Sequence, residues 1–351
     1  MIGTSVDTDV LTDEPVARKV AMLRVVPDRV HRLVGATGRQ HRGAARQRNE
    51  RDSRMASKLQ LREQFSACGV PLRFDVYGSE PRQHVLDDLT FLNYRLADVV
   101  ISPVVTVETP DIVWETDGPK SVRYDGSTLT FTGDWPAGPL QKAIVTMLTL
   151  RLESAGLHPF HAAAVNYRGT TILILGGESN HGKSMGLIEV GVRGGVQVAS
   201  ETAVIDENGV VVKGSREAFL MKRTTGTERA DKAAPNKGVE KFWGTMPTWE
   251  ITNEPHEIDI VLVPAIDGNF DPSTAKLGPF ESQFQALHSL QNYLLTNELL
   301  APGHAMPVVD TDERRQRRAD FLESFCTRPF YFVRAATPQV LIDELDKILD
   351  A

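Results

Sequence analysis

The sequence predicts an α/β fold, and three observations support this prediction. The segment Thr171–Leu175 is almost wholly apolar, which is typical of a central strand covered on both faces. Ile258–Ile266 is a second apolar run of the same kind. Leu140–Ala155 carries apolar residues at helical spacing, and Lys183–Val192 is expected to form the helix that follows the first apolar strand. Buried strands that alternate with helices are typical of an α/β domain.

The composition excludes several classes of protein. The chain has 351 residues, of which 41% are apolar and 24% charged, and its net charge is −7. These proportions exclude collagen-like, coiled-coil and wholly disordered chains. No apolar run reaches the roughly 18 residues of a membrane span, so no contact with a membrane is expected. Four acidic residues come before the first apolar stretch, which is not the layout of a secretory signal. The two cysteines stand alone in the sequence, and this favours a reducing cytoplasm.

Residues 1–58 are predicted to form a disordered basic arm. Residues 15–58 hold twelve Lys or Arg and three acidic residues, a local charge of +9. The stretch Arg32–Arg54 has few large apolar residues, so we do not expect it to fold alone. A solvated tail is the simplest interpretation, and contact with an acidic partner is an alternative. The arm has no aromatic residue that could stack on a base, so binding to nucleic acid is not expected. A third interpretation is that the native chain starts at Met55 and that the arm is a misassigned upstream extension.

Residues 59–139 are predicted to form a β-rich N-terminal subdomain, because short β-like runs alternate there with Pro and Gly. The predicted strands are Leu72–Tyr77, Val99–Val107, Ser121–Tyr124 and Thr128–Phe131. Asp125-Gly126 separates the last two strands and predicts a hairpin turn.

Residues 140–351 are predicted to form the larger α/β domain. After the helix Leu140–Ala155, the predicted elements are the strand Ala162–Val165, the apolar strand Thr171–Leu175, the helix Lys183–Val192 and the strands Val196–Ala199, Val204–Asp206, Val210–Val212 and Ile258–Ile266. Arg223–Glu254 is polar and is interpreted as a surface excursion. Phe280–Leu300 and Pro338–Leu349 are predicted helices, and the arginine-rich run 314–318 is predicted to lie on a helix that pairs with neighbouring acids.

A phosphate-loop motif follows the apolar strand and carries the chemistry. Gly177, Gly182, Lys183 and Ser184 satisfy the pattern GxxxxGK[ST], with Glu178, Ser179, Asn180 and His181 between the glycines. Glycines let the backbone wrap around phosphates, and the following helix presents its N-terminus to the same charge. We expect Lys183, as a solvated loop lysine, to contact the β- and γ-phosphates of ATP. The Ser184 hydroxyl is expected to bind Mg²⁺.

Phosphoryl transfer also needs a carboxylate, and two candidates follow apolar strands. Glu201 comes directly after Val196–Ala199, and Asp267 ends Ile258–Ile266 at the position typical of a Walker B acid. Arg216, Lys222 and Arg223 are candidate clamps for the transferred phosphate, with a solvated basic face as the alternative.

The stretch Phe160–Gly209 resembles the catalytic core of HPr kinase/phosphorylase and related kinases, which share a fold type with phosphoenolpyruvate carboxykinases. The opening histidine of that pattern matches His161, the glycine eight residues later matches Gly169, and the Arg-Gly turn matches residues 193–194. The first of two acids matches Glu201. The resemblance therefore implies a P-loop kinase core with a central mixed sheet, a phosphate-proximal His161, and Glu201 as base or metal-side carboxylate.

The sequence departs from that family at two matched positions. Thr202 replaces the second acid, and His181 occupies a loop position that is usually small or aliphatic. The downstream glutamate-arginine-glycine sequence of HPr kinases is also missing, so a dedicated HPr kinase is not expected.

The function predicted from these features is an ATP- and Mg²⁺-dependent kinase. Its acceptor would be a hydroxyl of a small metabolite or of a peptide Ser or Thr. The alternatives are a nucleotide-binding regulatory protein without phosphotransfer and a family member that has lost catalysis. Whether the chain forms a homo-oligomer stays open.

Overall fold

Two large mixed β-sheets, two short hairpins and six helices make up the part of the chain that the computed structural model describes. The described residues are 58–176, 181–216, 218–222, 240–244, 250–294 and 299–351, with only the backbone described for 218–222 and 240–244. The predicted basic arm lies outside these residues, apart from Lys58. The α/β class predicted from the sequence is confirmed.

The first sheet has six strands in the order β3-β1-β2-β4-β6-β5. Its strands are β1 (Lys58–Ala67), β2 (Val70–Gly78), β3 (Val100–Ser102), β4 (Ile112–Glu115), β5 (Ser121–Tyr124) and β6 (Leu129–Thr132). The predicted hairpin at Asp125-Gly126 joins β5 to β6, which pair antiparallel. Gly126 has a φ of +101°, a value that glycine adopts without strain.

Two helices accompany this sheet, α1 (Thr90–Leu96) and α2 (Ala137–Ser154). The second is the helix predicted at Leu140–Ala155, and it ends before Gly156, which has a φ of +74°. Most side chains of α2 are buried, and the helix shares one apolar core with the first sheet. This core also takes in Tyr293 and Leu294, which come from much later in the chain.

The second sheet has nine strands, eight of them in the order β14-β11-β10-β7-β8-β15-β19-β16, with β9 paired to β7. These strands are β7 (Leu157–Tyr167), β8 (Thr170–Leu175), β9 (Val196–Ala199), β10 (Thr202–Asp206), β11 (Val210–Gly214), β14 (His256–Glu257), β15 (Ile260–Ile266), β16 (Ser273–Lys276) and β19 (Phe330–Ala335). The hairpins are β12 (Ala218–Lys222) with β13 (Glu240–Gly244) and β17 (Leu299–Ala301) with β18 (His304–Ala305).

Helices cover both faces of the second sheet. They are α3 (Lys183–Val192), α4 (Pro279–Gln291), α5 (Asp312–Phe325) and α6 (Pro338–Leu349). Side chains of β8 alternate between two apolar cores, with Leu173 and Leu175 in one and Ile172 and Ile174 in the other. This explains why the segment is almost wholly apolar: both of its faces are buried.

The strand register places the start of β10 and the end of β8 on either side of the middle of β7. Thr202 of β10 pairs with His161 of β7, and Ala162 of β7 pairs with Leu175 of β8. The backbone N–H of Gly176 also donates to the His161 carbonyl at 2.7 Å. A single row across the sheet therefore runs from the start of β10 through His161 to the first residue after β8.

Several predicted elements differ from those observed. The strand predicted at Val99–Val107 is limited to Val100–Ser102, and the helix predicted at Phe280–Leu300 ends at Gln291. β1, α1 and β19 were not predicted as regular elements. β19 was missed because its aromatic residues were interpreted only as core, and Phe330 is indeed 1% exposed. Most of Arg223–Glu254, predicted as a surface excursion, lies outside the described residues.

No helix in the described part of the chain has both the length and the apolar character needed to cross a bilayer.

Candidate functional site

The end of the phosphate-loop motif leads directly into helix α3. Gly182 precedes the helix with a φ of +110°, in the left-handed region that favours glycine. A side chain at this position would also meet Ile266 at 2.7 Å. The His181 carbonyl accepts a hydrogen bond from the N–H of Ile266 at 3.1 Å, so the motif is fastened to the end of β15. Gly177, Glu178, Ser179 and Asn180 lie outside the described residues.

Three predicted site residues meet in one buried cluster. The Lys183 ammonium forms an ion pair with one oxygen of the Glu201 carboxylate, and it also donates to the Ser200 carbonyl at 3.3 Å. His161 Nε2 lies 2.7 Å from the other Glu201 oxygen. Lys183 and Glu201 are 8% and 5% exposed. The structure thus brings together residues from α3, β7 and the β9–β10 connection.

A bend between β9 and β10 holds Glu201 in this position. Ser215, which follows β11, accepts hydrogen bonds through its hydroxyl oxygen from the N–H groups of Glu201 and Thr202, at 3.0 and 2.9 Å. The Ser200 hydroxyl donates to the Ser215 carbonyl at 2.8 Å. Between β9 and β10 the backbone is not paired with a neighbouring strand. These bonds supply the hydrogen-bond partners that its buried polar groups need.

The electrostatics of the cluster follow from burial and charge. Burial raises the pKa of Glu201, but Lys183 and His161 outweigh it and hold that pKa well below the usual range. Burial also lowers the pKa of His161, against the opposing effect of the Glu201 carboxylate. At neutral pH Glu201 is therefore an anion, and its partner Lys183 supplies the positive charge.

Two buried tyrosines, Tyr94 and Tyr293, and Thr202 lie next to this cluster. The Tyr293 hydroxyl lies 2.7 Å from the Thr202 hydroxyl, and the Thr202 hydroxyl lies 2.9 Å from the carbonyl of Arg95 in α1. Burial and the nearby Glu201 carboxylate raise the pKa values of Tyr94 and Tyr293. Thr202 therefore connects α1 to the second sheet.

Asp267 lies at the end of β15, next to the phosphate-loop motif. Because β15 runs parallel to its neighbour β8, the loops that follow both strands lie at the same edge of the sheet. One Asp267 oxygen accepts two hydrogen bonds from Asn269, both at 3.1 Å. The position fits a Walker B acid, although neither Lys183 nor His161 forms an ion pair with it among the described residues.

The chemistry of the available donors is compatible with Mg²⁺. A hydroxyl at Ser184, in the first turn of α3, and a carboxylate at Asp267 are hard oxygen donors on the same side of the sheet. Mg²⁺ commonly uses one or two protein oxygens and completes its shell with phosphate and water. The described residues contain no group of three or more His, Cys, Asp or Glu that could hold a metal ion by themselves. Both Glu201 oxygens are already engaged by Lys183 and His161.

The structure bears on two expectations about basic residues: that Lys183 is solvated, and that Arg216, Lys222 and Arg223 could clamp a phosphate. The expectation that Lys183 is a solvated loop lysine is wrong, because its side chain is buried against Glu201. Arg216 is exposed and donates to the Asn253 amide oxygen. Arg223 lies outside the described residues, as does the side chain of Lys222.

Sequence reasoning missed four residues of this site: Tyr94, Arg95, Ser215 and Tyr293. None of them lies within a recognisable motif, and Arg95 is 107 positions away from Thr202 along the chain. To find Tyr94 and Arg95, the sequence would have had to show that α1 contacts the start of β10.

A comparison of the chain with models of protein families finds no match, and a comparison with curated proteins finds none either.

Proposed function

We propose that this protein is an ATP- and Mg²⁺-dependent kinase that transfers the γ-phosphate to a hydroxyl group. As part of this proposal, the chain is a relative of the HPr kinase/phosphorylase-like P-loop kinases, and the second sheet would correspond to their catalytic core. The observation that supports it most strongly is the buried cluster of Lys183, Glu201 and His161, located where a central strand passes through a phosphate-loop motif into a helix.

The cluster supports this chemistry because Lys183 has two alternative anionic partners. Without nucleotide its ammonium pairs with Glu201. A polyphosphate bound at the N-terminus of α3 would compete for the same ammonium. When Lys183 moves to the phosphates, Glu201 loses the cation that depresses its pKa, and the pKa rises. Binding of the phosphate donor would thereby convert a weak base into a stronger one.

In the proposed step Glu201 accepts the proton of the acceptor hydroxyl. The hydroxyl oxygen forms a bond to the γ-phosphorus, and the bond between that phosphorus and the β,γ-bridging oxygen breaks, so that ADP leaves. His161 orients the carboxylate through its 2.7 Å hydrogen bond. Ser184 and Asp267 would hold Mg²⁺, which neutralises phosphate charge when it is bound.

The experiment that tests the proposal compares the wild type with Lys183→Met. Incubation with γ-labelled ATP and Mg²⁺ against panels of hydroxyl metabolites and Ser/Thr peptides should yield a labelled product with the wild type. The variant should lose about 10²- to 10³-fold in turnover, because it lacks the cation that contacts the phosphates. Methionine is preferred to alanine because Lys183 is buried and a cavity would confuse the result.

Two outcomes would contradict the proposal. Unchanged turnover in Lys183→Met would remove Lys183 from the site. Tight ATP binding by the wild type with no labelled product from any acceptor, and no hydrolysis, would instead support the regulatory alternative.

A further inference from the structure

Arg95 is a half-buried arginine that lies beside the candidate site. Its guanidinium lies over the rings of Tyr94, Tyr293 and Phe91, with distances of 5.3, 5.6 and 5.7 Å to the ring centroids. Its guanidinium donates to the Asn292 amide oxygen at 3.0 Å, and it also forms a side-chain hydrogen bond with Tyr293. Among the described residues, no Asp or Glu forms an ion pair with it.

Three other arginines in the described part of the chain have their charge or their donors satisfied. Arg73 and Arg318, the buried ones, each bind carboxylates. Arg328 has no carboxylate, but its N–H groups donate to three backbone carbonyls. A guanidinium has five N–H donors, so Arg95, with Asn292 and Tyr293 as its side-chain acceptors, retains donors that could bind a ligand.

The position of Arg95 is set by the same contacts that build the site. The Thr202 hydroxyl bonds the Arg95 carbonyl at 2.9 Å, next to Glu201. The positive charge of Arg95 also acts on His161, whose pKa it helps to lower. The charges of Lys183 and Arg95 therefore both act on His161. Lys183 is paired with Glu201, whereas no Asp or Glu among the described residues pairs with Arg95.

We infer that Arg95 binds an anionic group, a carboxylate or a phosphate, on the acceptor molecule. This inference rests on the proposed function and narrows its substrate class to hydroxyl compounds that also carry a negative charge. The nucleotide is served by the phosphate-loop motif and Lys183. Arg95 instead comes from α1, on the side of Glu201 formed by Tyr94 and Tyr293. A hydroxyl that reaches Glu201 would have its own molecule within range of this guanidinium, which suits planar bidentate anions.

A binding experiment tests Arg95 without knowledge of the acceptor. Inorganic phosphate is titrated into the full chain saturated with ADP and Mg²⁺, and ATP is titrated separately, both by calorimetry. The variants are Arg95→Gln, Arg95→Lys and, as a control, Arg82→Gln. Arg82 also stacks on an aromatic ring, that of Trp114 at 4.1 Å, but it is exposed and lies outside the site.

Arg95→Gln should weaken phosphate binding about 10-fold or more, since a hydrogen bond to a charged group contributes about 1.5–3 kcal/mol. The phosphate affinity of Arg95→Lys should lie between those of Arg95→Gln and the wild type, because lysine keeps the positive charge but cannot form the two parallel hydrogen bonds of a guanidinium. Arg82→Gln should bind phosphate as the wild type does. Equal phosphate binding by Arg95→Gln and the wild type would overturn the inference, as would a loss of ATP affinity as large as the loss of phosphate affinity.

A transfer experiment identifies the source of the anion. Acceptors are supplied in matched pairs: glycerol against glycerol 3-phosphate, and serine peptides with a free against an amidated carboxyl terminus. The charged member of a pair should be the better substrate, and Arg95→Gln should raise its KM more than it lowers kcat. Equal phosphorylation of neutral and charged members would overturn the inference. Failure of the proposed function has a different result, namely no ATP binding and no transfer by the wild type.

Discussion

Strand β7 carries the buried His158 and, three residues later, the half-buried His161, and the two histidines have different surroundings. His158 stacks on Phe321, with ring centroids 3.6 Å apart and planes at 10°, near the ion cluster of Arg318 with Glu153 and Asp310. His161 belongs to the cluster of Lys183 with Glu201. Both clusters are buried and charged, yet only the second lies beside the phosphate-loop motif.

The Arg318 cluster is saturated. Its guanidinium donates to both Glu153 oxygens, at 2.7 and 2.6 Å, and to Asp310 at 3.0 Å. One cation faces two carboxylates, and each partner is less than 10% exposed. Such a cluster has no unused capacity for a ligand and is typical of a structural contact between helices, here α2 and α5.

The Glu201 cluster is incomplete. Arg95, whose charge acts on His161, pairs with no Asp or Glu among the described residues, and the Nδ1 atom of His161 is buried without a hydrogen-bond partner there. Incomplete pairing of buried polar groups costs stability, so it is expected where a ligand completes the network. The comparison teaches that neither burial nor charge by itself distinguishes the candidate site from a structural ion cluster, and that the position beside the phosphate-loop motif does.

The largest expected difference is in activity. Glu201→Gln should keep nucleotide affinity and lose about 10²- to 10⁴-fold in phosphoryl transfer, because the proposed base is removed. Glu153→Gln, the matched change in the structural cluster, should leave transfer intact and lower stability. Transfer assays and urea unfolding of both variants check this. If Glu201→Gln still transfers phosphate, Asp267→Asn becomes the variant to test.

The second difference is in stability. Arg318→Met should cost about 3–5 kcal/mol of unfolding free energy, since it leaves two buried carboxylates without a cation. Lys183→Met should cost less, about 1–3 kcal/mol, because His161 can take up a proton and pair with Glu201. Urea denaturation at pH 7 measures both values. An equal or larger cost for Lys183→Met would mean that the Glu201 cluster is primarily structural.

The third prediction concerns the close contact between His161 and Gly176, the residue that precedes the phosphate-loop motif. A Cβ at Gly176 would lie 2.7 Å from the His161 carbonyl oxygen and 2.9 Å from its ring. Gly176→Ala should therefore displace His161, cost about 1–3 kcal/mol and reduce transfer. Gly138→Ala is the control, because nothing lies within 4 Å of its Cβ, and it should gain up to about 1 kcal/mol. Full activity in Gly176→Ala would contradict the assigned role of His161.

The smallest expected effect is the pH dependence that His158 adds to stability. Burial lowers the pKa of His158 to about 4, from 6.5. The unfolded chain therefore binds a proton at His158 first as the pH falls, so stability is complete above pH 6.5 and is lost between 6.5 and 4. Between pH 7 and pH 5 this loss is about 2 kcal/mol.

His158→Phe should remove that contribution while preserving the stack on Phe321. Urea unfolding of the wild type and the variant at pH 7 and pH 5 measures the difference. An identical pH dependence in both proteins would show that His158 does not titrate as its burial requires.

Local sequence was sufficient for much of the fold. The helices Lys183–Val192 and Pro338–Leu349 and the strands Ser121–Tyr124 and Val196–Ala199 have the predicted bounds. Each is encoded by apolar periodicity and by glycine or proline at its ends, which act within a few residues. The Phe280–Leu300 prediction extended too far because apolar residues after Gln291 pack into the first core, where periodicity alone does not distinguish a helix from an irregular segment.

By itself, the sequence of this protein determined the α/β class, the phosphate-loop motif and the candidacy of Lys183, Ser184 and Glu201, because these depend on neighbouring residues. Only the tertiary structure decided that Lys183 is buried against Glu201, that His158 and His161 serve different clusters, and that Arg95 reaches the site. Those facts depend on the register that pairs Thr202 with His161, 41 positions away, and on the contact of Thr202 with Arg95, 107 positions away, and such distant pairings leave no local pattern.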